Sequence, residues 1–246
     1  MTAIYCYLST DGRNAAMVSD DLEYTTKRRV DKIFLVDDRW AVAFYGQDLP
    51  DEAISVLNHF RDTTIAFTPN STGELINQIA LVSKSVGERV YPVYLDQIKR
   101  GIISDENWAL VKANSLNMLV FDSLEFRLTN VSLGYPFPPE RIILDPEPEN
   151  SFEWGKVHRF ALASKIIGGS KGTIDERLDL PSQLHKVLED DRQINGAIGS
   201  PGAFYSKQGD NHRFISCYRD FQEYIENYYD PRLMTGFNLN VEVYDR

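Results

Sequence analysis

The sequence predicts an α+β fold in which two sheets are enclosed by helices. Three observations carry this reading. Residues 1–45 read as four successive strands in two hairpins. Two helical segments then follow one another, with no strand between them. Strands resume in the middle and again near the end, interrupted by one further helix, and this order lacks the alternation of a βαβ repeat.

Taken in order, residues 3–8 are rich in β-formers and Asp11-Gly12 is a turn signal. Residues 14–19 form a second, mostly apolar run. Residues 30–36 and 39–45 make the next pair, separated by Asp37-Asp38. Residues 48–61 start a helix on an acidic, proline-containing turn, with Ala53, Val56, Leu57 and Phe60 on one face. A second helix spans 71–89, striped by Leu75, Ile79, Val82 and Val86. Residues 91–114 carry no clear pattern. Strands are expected at 116–121 and 124–133, then a proline-rich segment from Tyr135, a strand at 141–144 and a loop at Pro146 and Pro148. Residues 159–167 read as one strand ending in Gly168-Gly169-Ser170, and 180–194 as a helix. Residues 199–202 read as a turn, 203–207 with 213–218 as a hairpin, 220–229 as a helix and 239–244 as a last strand.

The 246 residues suffice for a sizeable core, and 43% hydrophobic with 25% charged residues is ordinary globular composition. With neither repeat nor linker in view, residues 1–246 are read as a single domain. A net charge of -10 argues against nucleic-acid and anionic-lipid partners. Cys6 and Cys217 have no paired spacing, and His59, His158, His185 and His212 are scattered. Neither a disulfide framework, a metal site nor an organic cofactor is implied. Cys6 reads as a core residue. Met1-Thr2 leads straight into a strand with no basic leader, and no apolar run is long enough to span a bilayer, so a cytoplasmic protein is expected.

The N-terminal quarter carries a more specific pattern. It contains Thr2, Asp11-Gly12, the small-residue strand from Ala15 to Asp20, Val30-Asp-Lys32-Ile33, Asp37-Asp38-Arg39, and Ala43-Phe-Tyr-Gly46. In order and approximate spacing this resembles the proteasome β-subunit family, with its bacterial relatives HslV and Anbu. Gly168-Gly169-Ser170 resembles that family's later glycine-serine segment. A serine, Ser200, lies within 195–202, where the family has an aspartate followed by serine and glycines, but no aspartate stands there.

The resemblance implies a four-layer αββα sandwich of the N-terminal-nucleophile hydrolase type. It implies Thr2 as nucleophile once Met1 is removed. A hydroxyl needs a nearby base, and a free α-amine on the same residue, with a reference pKa of about 7.7–8.0, can serve. Lys32 would place positive charge beside Thr2, Asp20 would hold Lys32, the Gly46 N–H would stabilise the oxyanion, and Ser170 would bond the Thr2 amine. Each also has a plainer reading. Thr2 could simply begin a strand, Asp20 could belong to a turn, Lys32 could face solvent, Gly46 could break a strand ahead of a helix, and Ser170 could be structural.

The expected activity is that of a threonine-type peptidase or amidase acting on a peptide or amide substrate. Ring-like homo-oligomers and an unfoldase partner of unknown identity come with the resemblance. The alternatives are a catalytically inactive proteasome-like scaffold or binding protein, and a small-molecule amidase.

Overall fold

Strands β1 (Ala3–Leu8) and β2 (Asn14–Asp20) form an antiparallel hairpin in which Ile4 faces Ser19 and Leu8 faces Ala15. In the computed structural model of the chain, residues 3–21, 32–36, 39–45, 69–106, 116–132, 154–161, 164–168, 174–194 and 198–215 are described. The turn between the two strands is built from short-range polar contacts. Ser9 Oγ donates to Asp11 Oδ1 at 2.6 Å and accepts from Asn14 N at 2.8 Å, while Gly12 takes φ +71°, a conformation open to glycine.

A second hairpin, β3 (Ile33–Val36) and β4 (Trp40–Tyr45), continues into β5 (Asn117–Asp122) and β6 (Arg127–Ser132) as a four-stranded sheet in the order β3-β4-β5-β6. The first hairpin joins β7 (Val157–Ala161), β8 (Ser164–Gly168), β9 (Pro201–Gln208) and β10 (Asn211–Ile215) in a six-stranded sheet, order β10-β9-β2-β1-β7-β8. Among the described residues, every pairing is antiparallel.

The sheets and helices share three buried clusters. Ile4, Cys6, Met17 and Tyr205 of the larger sheet pack with Ala41, Ala43, Leu119 and Phe121 of the smaller one. The other face of the smaller sheet, with Trp40, Val42, Met118 and Val120, buries Leu75, Ile79 and Tyr94 of helix α1 (Thr72–Lys99). The other face of the larger sheet, with Ala3, Tyr5, Val18 and Phe204, buries Leu180, Leu184 and Leu188 of helix α2 (Leu180–Ile194). Strands β1 and β4 are therefore covered on both faces, which is why they read as unbroken apolar runs instead of alternating ones.

Polar contacts fix α1 and α2. The Ser71 side chain accepts from Glu74 N and caps α1. Thr72 Oγ1 donates to the buried Asp122 at 2.6 Å, and Arg39 and Trp40 donate to the same carboxylate. Asp179 caps α2 by accepting from Ser182 N at 2.9 Å. Tyr5 Oη donates to Asp191 near the far end of α2 at 2.5 Å, and Arg159 forms an ion pair with the same carboxylate at 2.7 Å.

Several expectations are corrected. Helix α1 runs on past residue 89 through Pro92 to Lys99. Proline removes one backbone hydrogen bond, but burial of Tyr94 and the partial burial of Tyr91 and Ile98 against the sheet carry the helix past it. It ends in a glycine cap: Gly101, at φ +68°, donates to Ile98 O, and Ile102 donates to Gln97 O. Residues 159–167 are not one strand but parts of two, β7 and β8, paired His158 to Gly168 and Ala161 to Ser164. The expected strand at 124–133 starts only at Arg127, because residues 123–126 turn the β5–β6 hairpin with Phe126 at φ +50°. Residues 199–202 are not wholly a turn, since β9 begins at Pro201. β10 starts at Asn211, two residues before the expected position. The expected helices at 48–61 and 220–229, the proline-rich segment and the strands at 141–144 and 239–244 lie outside the described residues.

Candidate functional site

Asp20 ends β2 with its side chain fully buried, and three donors converge on it. Ala3 N donates to Oδ1 at 2.8 Å, Lys32 Nζ donates to Oδ1 at 2.9 Å, and Gly199 N donates to Oδ2 at 3.0 Å. Both carboxylate oxygens are thus engaged. A carboxylate removed from water needs partners of this kind to stay charged, and charge-assisted bonds are the stronger sort.

Lys32 reaches this carboxylate from the other sheet. It immediately precedes β3, and its carbonyl accepts from Phe44 N at 3.0 Å, which ties it to β4. Only 2% of Lys32 is exposed, so the reading of it as a solvent-facing lysine is set aside. The reading of Asp20 as a turn residue falls likewise, because it pairs with Pro201 as the last residue of β2. The ion pair joins the two sheets at the start of β1, where Ala3 lies.

Ala3 N is the peptide nitrogen that follows Thr2 in the chain. Its bond to Asp20, together with the full burial of Ala3, places the start of β1 directly against the Asp20–Lys32 pair. Thr2, Gly46 and Ser170 lie outside the described residues. Of the five residues singled out from the sequence, the structure brings Asp20 and Lys32 together.

Two residues at this site escaped the sequence reading. Gly199 supplies the third donor to Asp20. Gly202 sits so close to Asp21 that an added Cβ would lie 2.9 Å from Asp21 Cβ and 3.1 Å from its Cα. The Gly199-Ser-Pro-Gly202 cluster is the visible signal, read there as a turn and no more.

Two other reactive side chains among the described residues, Cys6 and His185, are buried in the core. Cys6 is buried between the sheets, and burial pushes its thiol far above the ordinary value, as suits a core residue. Burial lowers His185 to about 3; nearby Asp179 opposes that shift and Arg213 adds to it. Among the described residues, no cluster of three or more His, Cys, Asp or Glu could hold a metal ion, and no helix is long and apolar enough to cross a membrane.

No protein-family model and no curated protein sequence matches this chain. Solved structures do. A mutant Anbu from Hyphomicrobium sp. strain MC1 aligns over 100% of both chains, with a TM-score of 0.50 and 9% identity. Anbu, described as an ancestral beta-subunit, from Yersinia bercovieri aligns over 92% of each chain at a TM-score of 0.47 and 12% identity. HslV from Trypanosoma brucei covers 83% of this chain and 98% of its own at a TM-score of 0.39 and 12% identity. At such identities the likeness concerns the fold, and the resemblance read from the N-terminal residues holds at that level: this chain, mixed α and β with two antiparallel sheets, is similar in fold to the proteasome-like Anbu.

Proposed function

We propose that the protein is a threonine-type N-terminal-nucleophile hydrolase, cleaving peptide or amide bonds through an acyl ester on Thr2. The observation that supports this is the buried Asp20–Lys32 ion pair, whose carboxylate is also bonded by the backbone N–H immediately after Thr2. A lysine held at that point supplies a fixed positive charge beside the residue that would act as nucleophile and base.

In this reading the Thr2 α-amine takes the hydroxyl proton as Oγ attacks the substrate carbonyl carbon. The Gly46 N–H stabilises the resulting oxyanion, and Ser170 bonds the amine. The amine passes its proton to the leaving nitrogen, the C–N bond breaks, and the acyl ester remains. Water, deprotonated by the same amine, then releases the acid and regenerates Thr2. Lys32 lowers the proton affinity of the amine and hydroxyl near it, and Asp20 keeps Lys32 in place. The scaffold is proposed to be a four-layer αββα sandwich, in keeping with the three buried clusters, and the working form a ring-like homo-oligomer.

Purified protein whose first residue is verified by mass as Thr2 is assayed on fluorogenic peptides and on a panel of small amides. Turnover that Thr2→Ala abolishes supports the reading, and the preferred panel separates peptidase from small-molecule amidase. Equal turnover by Thr2→Ala overturns Thr2 as the nucleophile, and no turnover from the Thr2 form on either panel leaves the scaffold alternative.

A further inference from the structure

We propose that residues 199–202 are a positioning device for the Asp20–Lys32 pair, with the Gly199 N–H acting as the stop that sets the rotation of the Asp20 carboxylate. The proposal rests on the hydrolase reading only for its catalytic consequence; the positioning itself stands on geometry.

Ala3 N and Lys32 Nζ both bond Oδ1, so those two contacts alone leave Oδ2 without a described restraint. Gly199 N, 3.0 Å from Oδ2, supplies it. The segment reaches that position through an irregularity in the sheet. Val18 pairs with Phe204, yet Asp20 pairs with Pro201, so two steps along β2 match three along β9. The extra residue is a bulge on β9, a device that re-aims neighbouring groups. Gly202 lies in it. The absent Cβ lets β9 press against Asp21, whose N–H donates to Ser200 O at 2.9 Å. That contact and the Gly199 bond flank Asp20 on consecutive residues, so the start of β9 is fastened across the carboxylate.

A methyl group on Gly202 would meet Asp21 Cβ, Cα and N at 2.9, 3.1 and 3.1 Å. Two of these are backbone atoms, which cannot swing aside, so β9 must lift and carry Gly199 away from Oδ2. Gly199→Pro removes the same donor by another route and keeps the test open if Gly202→Ala fails to fold.

The probe is the Lys32 ε-carbon resonance in full-length protein labelled with carbon-13 lysine, assigned through Lys32→Arg. Asp20→Asn marks its position when the ion pair is lost. Val131→Ala, in the cluster against α1, serves as a control of reduced stability. In Gly202→Ala and Gly199→Pro the resonance moves toward that of Asp20→Asn, while Val131→Ala leaves it in place. On the same samples kcat falls about a hundredfold with KM unchanged, the scale of a displacement of about 1 Å. A Lys32 resonance unmoved in both variants overturns the proposal. If the resonance moves but the wild type shows no Thr2-dependent turnover, the positioning stands and it is the hydrolase reading that fails.

Discussion

Lys32 Nζ and Asp20 Oδ1 lie 2.9 Å apart with 3% and 0% of their side chains exposed, so a full ion pair is held between the two sheets and away from water. Burying two charges carries a desolvation cost that their attraction only partly returns, and such a pair contributes little net stability over apolar packing. In the proposed mechanism its use is to hold one charge at a defined point next to Ala3.

Removing one partner leaves the other charge buried alone. Lys32→Met is expected to destabilise the fold by about 3–5 kcal/mol in urea unfolding. Combining it with Asp20→Asn recovers part of that loss. Strictly additive single-variant losses in this double-mutant cycle would show that the two groups are not coupled.

Asp122 plays the corresponding structural part for α1. Burial pushes its carboxyl up, but hydrogen bonds from Arg39, Thr72 and the Glu125 and Leu124 N–H groups outweigh this and hold it below the ordinary carboxylate value. Asp122→Ala removes the acceptor shared by Arg39, Trp40 and Thr72. A loss of about 3 kcal/mol is expected, with hydrogen-exchange protection lost first in the opening turn of α1. Unchanged protection there would contradict the assignment.

His185 gives the fold a dependence on pH. Burial lowers it to about 3 from 6.5, so the folded state keeps it neutral while the unfolded chain takes up a proton first. Its contribution is present above pH 6.5 and is lost as pH falls from there toward 3. The slope reaches about 1.4 kcal/mol per pH unit. Between pH 6.5 and 5, above most carboxylate titration, His185→Leu should flatten the stability curve relative to wild type. Parallel curves would sink the prediction.

Phe126 holds φ +50°, a conformation costing roughly 1–2 kcal/mol for a residue with a Cβ. Its ring lies 5.5 Å from that of Phe121 and 5.6 Å from that of Trp154. Phe126→Gly relieves the backbone but loses both ring contacts and the apolar area between them. The aromatic loss is expected to win by about 1 kcal/mol in thermal or urea melts. A stabilised variant would show that the backbone cost dominates.

Much of the fold was legible because burial on both faces leaves an unmistakable trace. β1 and β4 are continuous apolar runs, and Leu180, Leu184 and Leu188 mark α2 behind the Asp179 cap. The β7–β8 hairpin was not legible, because residues 159–167 contain no glycine, proline or asparagine to signal a reversal. The last third of α1 was hidden by Pro92, although Lys99-Arg100-Gly101 was a readable stop signal. At the site, Asp20 and Lys32 were found through their resemblance to a known pattern. Gly199 was not, because a backbone donor leaves no mark on residue type. Gly202 was misread because proline and glycine signal turns far more often than the start and bulge of a strand.

The central claim is the proposal that Thr2, which precedes the Ala3 bonded to this ion pair, is the attacking residue. Protein with Thr2 at its mature N-terminus is incubated with an electrophile that couples hydroxyl and α-amine of one residue, and the adduct is located by peptide mass mapping. The account predicts one adduct per chain, confined to Thr2 and strongly slowed by Lys32→Met. An adduct that persists in Thr2→Ala, or one that maps to another residue, would contradict it.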